Sequence, residues 1–213
     1  AQEDSSSSTN EGAVYIHYMN SNGSIKSTVK INDATTNGAT LSSNYVYGTA
    51  VENIGDLDGD GVNDLAIGAP SNSSGKGFVY IHYMNANGSI KSTVTVDGQT
   101  LPGDKTYNTW CTCYILFGTA VANIGDQDDD GVTDIAVGAS MFGYGADRDG
   151  NGSIDSRMDK GAVFVLNMYA NGTVKNSYII DDKTTNGPEI WNSANTWTGQ
   201  FGSSIDIDKR LYK

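Results

Sequence analysis

Long apolar runs and basic residues are scarce in this chain. No stretch approaches the roughly 18 apolar residues that read as a membrane-spanning helix, and 13 Lys and Arg face 25 Asp and Glu. The net charge of -12 disfavours binding to nucleic acid or to anionic membrane surfaces, because both are negative themselves. Divalent cations are the better charge partner, and membrane insertion is not expected.

Proline, cysteine and catalytic residue sets are also scarce. Three prolines among 26 glycines and 12 tyrosines suit short strands joined by tight turns, which predicts an all-β fold. Cys111 and Cys113 lie two residues apart, near the limit for a disulfide, so their redox state stays open. No Ser-His-Asp or Cys-His set is visible, and the chain is predicted not to be an enzyme. Residues 1–10 have neither the basic start nor the apolar middle of a signal peptide.

What the chain does have is an acidic pattern, Asp-x-Asp-x-Asp-Gly-x-x-Asp, at residues 56–64 and again at residues 126–134. Clustered carboxylates repel one another unless a cation lies between them, and alternate oxygens around a glycine turn suit calcium. The predicted ligands of the first two sites are the side chains of Asp56, Asp58, Asp60, Asp64, Asp126, Asp128, Asp130 and Asp134 and the carbonyls of Val62 and Val132. Magnesium is disfavoured because its strict octahedron usually retains several waters. The alternative is a pair of solvated acidic turns without metal.

A third calcium site is predicted at residues 147–155. It keeps the same spacing, and its ligands would be Asp147, Asp149, Asn151, the Ser153 carbonyl and Asp155. It lies in an insertion that the first repeat lacks. A plain polar loop is the alternative.

The chain repeats itself. GAVYIHYM, GFVYIHYM and GAVFVLNM, at residues 12–19, 77–84 and 161–168, are each followed by an Asn-Gly pair and a second strand-like run. Such a pair predicts a hairpin, because both residues tolerate the positive φ of a type I′ turn. An aromatic-Gly pair then opens the next strand, at Tyr47-Gly48, Phe117-Gly118 and Phe201-Gly202. After the first two pairs come an acidic loop and an unbroken apolar run, DLAIGA or DIAVGA, expected of a strand covered on both faces.

The order aromatic-Gly, acidic loop, apolar strand, Gly-Ala-Pro and Gly-Ala-Val-Tyr resembles the FG-GAP repeat of integrin alpha-subunit β-propellers. The resemblance implies blades of four antiparallel strands, about three in number, in an incomplete ring. The predicted units are residues 1–74, lacking the opening half of a blade, residues 75–160 with the acidic insertion, and residues 161–213, which are truncated. Phe201-Gly202 begins a further strand, but Lys209 and Arg210 stand where ligands should be, so no metal is expected there. About three blades cannot close a ring, so we expect a fragment or a subunit that joins copies of itself head to tail.

Other residues have competing interpretations. His17 and His82 occupy equivalent strand positions where the third unit has Leu166, which favours packing over catalysis. Glycan attachment is predicted at four Asn-x-Ser/Thr sequons: Asn72, Asn22, Asn87 and Asn171. A binding rim is predicted from aromatics in variable loops: Trp110, Tyr114, Trp191 and Trp197. Covering of loop cores is the alternative for these four.

The leading functional hypothesis is a non-enzymatic, calcium-stabilised module for adhesion or surface assembly, located outside the cell or on its surface. Its partner would be a protein, a glycan or another copy of the chain. One alternative is a structural subunit of an extracellular fibre or coat that assembles head to tail. Another is a non-catalytic propeller of a larger secreted enzyme.

Overall fold

The computed structural model describes residues 11–71, 75–103, 115–142, 161–181, 184–188 and 200–206. The regular elements in these ranges are all β-strands. They are β1 Val14–Met19, β2 Ile25–Ile31, β3 Ala50–Gly55, β4 Asp64–Ala69, β5 Phe78–Met84, β6 Ile90–Asp97, β7 Phe117–Gly125, β8 Asp134–Ala139, β9 Ala162–Met168 and β10 Val174–Ile180. Within the same ranges no helix is long and apolar enough to cross a membrane.

The strands form sheets whose order follows the chain. One four-stranded sheet runs β3-β4-β5-β6 and the other β7-β8-β9-β10, with every neighbouring pair antiparallel. Strands β1 and β2 form a separate antiparallel pair. The described sheets thus amount to about three blades in an open ring, which confirms the predicted all-β fold of four-stranded antiparallel blades.

The boundaries of the four-stranded sheets do not coincide with those of the predicted sequence units. Each four-stranded sheet begins at an aromatic-Gly strand and ends with the hairpin of the next repeat. The boundaries at 1–74, 75–160 and 161–213 stay a prediction about the repeat. A blade, as hydrogen bonds define it, spans β3 to β6 or β7 to β10.

The hairpins lie at the predicted Asn-Gly pairs, but the turn type was predicted wrongly. Positive φ occurs only at the glycines, 83° at Gly23, 81° at Gly88 and 76° at Gly172, and not at the preceding asparagines. The amide of Gly23 donates to the carbonyl of Asn20 at 3.0 Å, and the amide of Asn20 donates to Ser24 at 2.8 Å. This is a type I turn followed by a left-handed glycine, the usual three-residue hairpin loop.

Close backbone contact joins one blade to the next. A methyl group at Gly68 would overlap the carbonyl oxygen of Gly118, and one at Gly138 would overlap the carbonyl oxygen of Gly202. The glycine of each Gly-Ala pair therefore lies against the aromatic-Gly pair that opens the following blade. The repeat motif keeps both glycines because no side chain fits between the two backbones.

Apolar side chains fill the space between blades. One cluster lies between β1–β2 and the β3–β6 sheet around Tyr47, and a larger one lies between the two complete sheets around Phe117 and Phe164. The rings of Phe117 and Phe164 meet edge to face, with centroids 5.4 Å apart. Truncating a ring so fully buried costs about 3–5 kcal/mol, so these contacts fix how the blades pack.

The same six residues, VYIHYM, occur in β1 and β5 in different surroundings. In β5 they are buried, and Tyr80 is 3% exposed, whereas its counterpart Tyr15 in β1 is 43% exposed. Strand β5 pairs with both β4 and β6, while β1 pairs only with β2 in the part of the chain that the structure describes. Neighbouring strands, not local sequence, decide this burial.

Candidate metal centres

Each acidic loop joins the first two strands of a complete blade. The first loop runs from the end of β3 to the start of β4, and the second runs from β7 to β8. Each loop brings three predicted ligands together, and one carboxylate oxygen of each lies within 4.8 Å of the other two. The six residues lie at the surface: Asp56, Asp58 and Asp60 in one loop and Asp126, Asp128 and Asp130 in the other.

The first aspartate of each loop holds the loop closed. Asp56 Oδ1 accepts from the amides of Gly59 at 2.8 Å and Asp60 at 2.9 Å, and its Oδ2 accepts from Gly61 at 2.8 Å. In the second loop, Asp126 accepts from the amides of Asp130 and Gly131 at 3.1 and 2.7 Å. Charge-assisted bonds to several amides form the tight turn that brings the other carboxylates near.

The last aspartate of each loop is placed differently from the triad. Asp64 is fully buried, and its two oxygens accept from the amides of Leu57 and Met84, both at 2.9 Å. Burial, partly offset by these two bonds, raises the pKa of Asp64. Asp134 is buried in the same way. It accepts hydrogen bonds from the backbone amides of Gln127 and Met168 and from the side-chain amide of Asn167. Both tie the loop to the third strand of the blade, and metal binding by them stays a prediction.

Val62 and Val132 were predicted as carbonyl ligands. The structure places their N–H groups 2.9 Å from Asp60 Oδ1 and Asp130 Oδ1, respectively, as donors. These bonds orient the third carboxylate of each triad. Coordination by the two carbonyls stays a prediction.

A lysine that the sequence analysis missed contacts each triad. Lys91 Nζ lies 2.6 Å from Asp58 Oδ2 and 2.7 Å from Asp60 Oδ2. Lys175 Nζ lies 2.7 Å from Asp128 Oδ2 and 2.9 Å from Asp130 Oδ2. Both lysines can be recognised in the sequence because each stands three residues after a hairpin glycine, in NGSIK and NGTVK.

These ion pairs shift the titration of the groups involved. The hydrogen bond from Lys91, then that from the Val62 amide, lowers the pKa of Asp60, and Lys175 does the same at Asp130. Bonds to the aspartates raise the pKa of Lys91 and of Lys175. Lys91, Lys175, Asp60 and Asp130 therefore all carry full charge at neutral pH.

The first complete blade is joined to the next blade through Tyr83 of β5. Its hydroxyl donates to the Ala170 carbonyl at 2.7 Å, in the hairpin between β9 and β10. Burial, with the nearby charges of Asp64 and Asp58, raises the pKa of Tyr83 to about 12. The hydroxyl remains a donor at physiological pH and connects the two blades.

The donor sets fit calcium in kind. Calcium takes hard oxygen ligands in flexible geometry, and each triad offers three carboxylates on a tight loop. A bound ion would neutralise most of the triad's charge. The three carboxylates of each triad would hold the ion, with Asp56 and Asp126 oriented by their amide bonds.

The two histidines differ in placement, and of the two it is His82 that packs in the interior. His82 is fully buried; its Nε2 lies 2.7 Å from Tyr47 Oη and its Nδ1 lies 2.7 Å from Thr93 Oγ1. Burial lowers its pKa to about 4, so the ring is neutral. Its counterpart His17 is exposed and bonds Thr28 Oγ1 at 2.9 Å.

Three predicted glycan sites, Asn22, Asn87 and Asn171, lie at the exposed tips of hairpins. In each, the hydroxyl two residues on donates to the asparagine Oδ1, at 2.7, 2.7 and 2.6 Å. Glycan attachment at them stays a prediction.

Several predicted residues lie outside the described ones: Asn72, the third loop with Asp147, Asp149, Asn151, Ser153 and Asp155, the rim aromatics Trp110, Tyr114, Trp191 and Trp197, and both cysteines.

Four-stranded antiparallel sheets in chain order, packed side by side with an acidic loop between their first two strands, define a β-propeller protein. A family model described as FG-GAP repeat matches residues 47–82, from Tyr47 through the first acidic loop into β5. Human integrin alpha-6 is 36% identical over 128 residues, which cover 60% of this chain. Chicken (Gallus gallus) integrin alpha-6 is 32% identical over 183 residues, covering 82%. Integrin alpha-4 of Xenopus laevis is 35% identical over 95 residues, covering 45%.

The chain belongs to the FG-GAP repeat family and is integrin alpha-like. This confirms the resemblance that the repeat carries. The chain spans only 8 to 13% of the length of these three relatives.

Proposed function

We propose that this chain is a non-enzymatic, calcium-binding extracellular module for adhesion or surface assembly, in which calcium stabilises the loops of the blades. The observation that carries the proposal is the pair of carboxylate triads at the same place in two successive blades. Each triad joins strands whose other contacts include the neighbouring blade, so an ion there would stiffen the framework rather than react.

The proposed partner is a protein or a glycan. Two observations support an adhesive role: similarity to integrin alpha subunits over most of the chain, and an exposed hairpin tip on each sheet. The proposal places the chain outside the cell or on its surface, where calcium is abundant.

Thermal unfolding with and without calcium tests this function. Saturating one site at about 100 times its dissociation constant adds about 2.7 kcal/mol, so millimolar calcium should raise the melting temperature by about 5 °C or more over EDTA. Magnesium should shift it less. An equal melting temperature in EDTA and calcium would contradict the proposal.

Loop variants locate the effect. Asp58→Asn with Asp60→Asn should remove the contribution of one loop, and Asp128→Asn with Asp130→Asn that of the other. Asp129→Asn is the matched control, because Asp129 is an exposed carboxylate in the second loop but outside the triad. If the control lost as much of the calcium shift as the triad variants, the stabilisation would not depend on these ligands.

A second candidate function is a structural subunit of a fibre or coat. It is favoured by the exposure in β1 of residues that are buried in β5, because exposed apolar side chains on a strand favour contact with another chain. Sedimentation of the calcium-loaded protein tests it. A monomer at high concentration would exclude self-assembly and leave the adhesion proposal in place.

A further inference from the structure

Lys91 and Lys175 reach the acidic loops from the far edge of their own sheets. Each stands second in the last strand of a blade, β6 or β10, while the loop joins the first two strands. In an antiparallel meander the first connection and the third lie at the same end of the sheet. The lysine is therefore carried to the loop by the fold, and this occurs independently in two blades.

Each carboxylate of the first loop already has a cationic or amide partner. The ammonium of Lys91 serves Asp58 and Asp60, and backbone amides serve Asp56 and Asp64. The loop can therefore keep its shape without a metal ion. The second loop repeats the arrangement with Lys175 on Asp128 and Asp130.

Calcium and the ammonium compete for the same two carboxylates, Asp58 and Asp60, whose other oxygens already accept hydrogen bonds from backbone amides. Lys91 holds Oδ2 of both Asp58 and Asp60, and an ion between the three carboxylates would lie close to a like charge. Mutual repulsion disfavours the two cations together. Binding of calcium thus requires the ammonium to leave those oxygens.

We infer that Lys91 and Lys175 are resident counter-ions that set the calcium affinity of the two loops: each occupies its triad in the metal-free protein and is displaced when calcium binds. This inference rests on the proposed calcium-binding function. It adds that metal-free protein stays folded and that affinity is weaker than the carboxylates alone would give.

Calcium titration of the purified chain at pH 7.5, by isothermal calorimetry, tests the inference. Lys91→Met keeps the apolar stem and removes the charge, and it should tighten one site by about tenfold. Lys175→Met should do the same at the other site. Lys26→Met is the matched control: Lys26 is exposed, follows a hairpin glycine in the same way, and should leave both affinities unchanged.

A second measurement does not depend on bound calcium. In EDTA, Lys91→Met and Lys175→Met should lower the melting temperature, because each loop loses its counter-ion, whereas Lys26→Met should not. Stability in EDTA equal to that of the parent chain would contradict the counter-ion role.

The outcomes separate this inference from the proposed function. Calcium binding by the parent chain with equal or weaker affinity in Lys91→Met and Lys175→Met overturns the inference alone. Binding only after the lysines are replaced supports their occupancy of the triads, but it overturns both their displacement by calcium and calcium binding by the natural chain. No binding by any variant overturns both.

Discussion

Replacing Tyr47 with Phe and His82 with Leu should remove an acid-sensitive pair from one blade. Both side chains are fully buried, and Tyr47 Oη lies 2.7 Å from His82 Nε2. The next blade has Phe117 and Leu166 at the equivalent positions, also fully buried. The double variant therefore imports a pair that this fold already accommodates.

The size of the effect follows from the pKa of His82. Burial lowers it from 6.5 to about 4, so the unfolded chain binds the proton more readily than the folded one. The contribution of His82 to stability is complete above about pH 6.5 and declines as the pH falls toward 4. Linkage gives a loss of about 2 kcal/mol at pH 5. The groups that face the ring are Tyr47, Tyr80 and Thr93, and the tyrosine pKa values are raised by burial.

Urea unfolding at pH 7 and pH 5 measures the effect. At pH 7 the variant should be close to the parent in stability, because both hydrogen-bonding partners are replaced by apolar groups and Thr93 still donates to the Asn37 carbonyl. Between pH 7 and pH 5 the parent should lose about 2 kcal/mol more than the variant. Carboxylates elsewhere titrate in both chains and cancel in the comparison.

His17→Leu is the control, since His17 occupies the equivalent strand position but is exposed and bonds Thr28 Oγ1. Because His17 is not buried, its replacement should change the difference in unfolding free energy between pH 7 and pH 5 much less than the double variant does. Parallel pH profiles for the parent and the Tyr47, His82 double variant would refute the reasoning.

Three further substitutions test the framework by urea unfolding in EDTA. Asp64→Ala should lower the free energy of unfolding by about 3 kcal/mol, because the buried amides of Leu57 and Met84 lose their acceptor. A loss no larger than that of Asp129→Ala, at an exposed position, would contradict this. Tyr83→Phe should lower the free energy of unfolding by about 1 kcal/mol, because it removes the hydrogen bond to the Ala170 carbonyl. Tyr18→Phe should lower it less, since the bond from Tyr18 to the Ala86 carbonyl is longer and exposed. Equal losses in the two variants would count against a stabilising contact between the blades at Tyr83. Gly68→Ala should lower the free energy of unfolding by more than about 3 kcal/mol or prevent folding, because the added methyl group would overlap the Gly118 carbonyl. A folded variant as stable as the parent would contradict the close contact between the two backbones.

Much of the fold was predictable because its signals are local and repeated. The Asn-Gly pairs mark the hairpins, the apolar runs DLAIGA and DIAVGA mark strands covered on both sides, and the aspartate spacing marks the loops. The triads could be predicted because loop residues at alternate positions point the same way. The type I′ turn was wrong because an asparagine before glycine is also stable with negative φ, with the glycine alone left-handed.

What could not be predicted depends on contacts between distant segments. Lys91 meets Asp58 and Asp60 only because the meander brings β6 and the first loop to the same end of the sheet. Asp64 follows the ligand spacing, yet β5 supplies an amide that draws it into the interior. Tyr15 is exposed and Tyr80 is buried although both lie in the same six-residue sequence, VYIHYM. The difference therefore follows from the neighbouring strands.

Equilibrium dialysis against radioactive calcium counts the ions that the chain binds at its two acidic loops. We expect at least two ions bound per chain, one lost in the Asp58, Asp60 double Asn variant and one in the Asp128, Asp130 double Asn variant, with Asp129→Asn retaining both. Folded protein that binds no calcium at millimolar concentration, or a stoichiometry unchanged by removing either triad, would contradict this expectation.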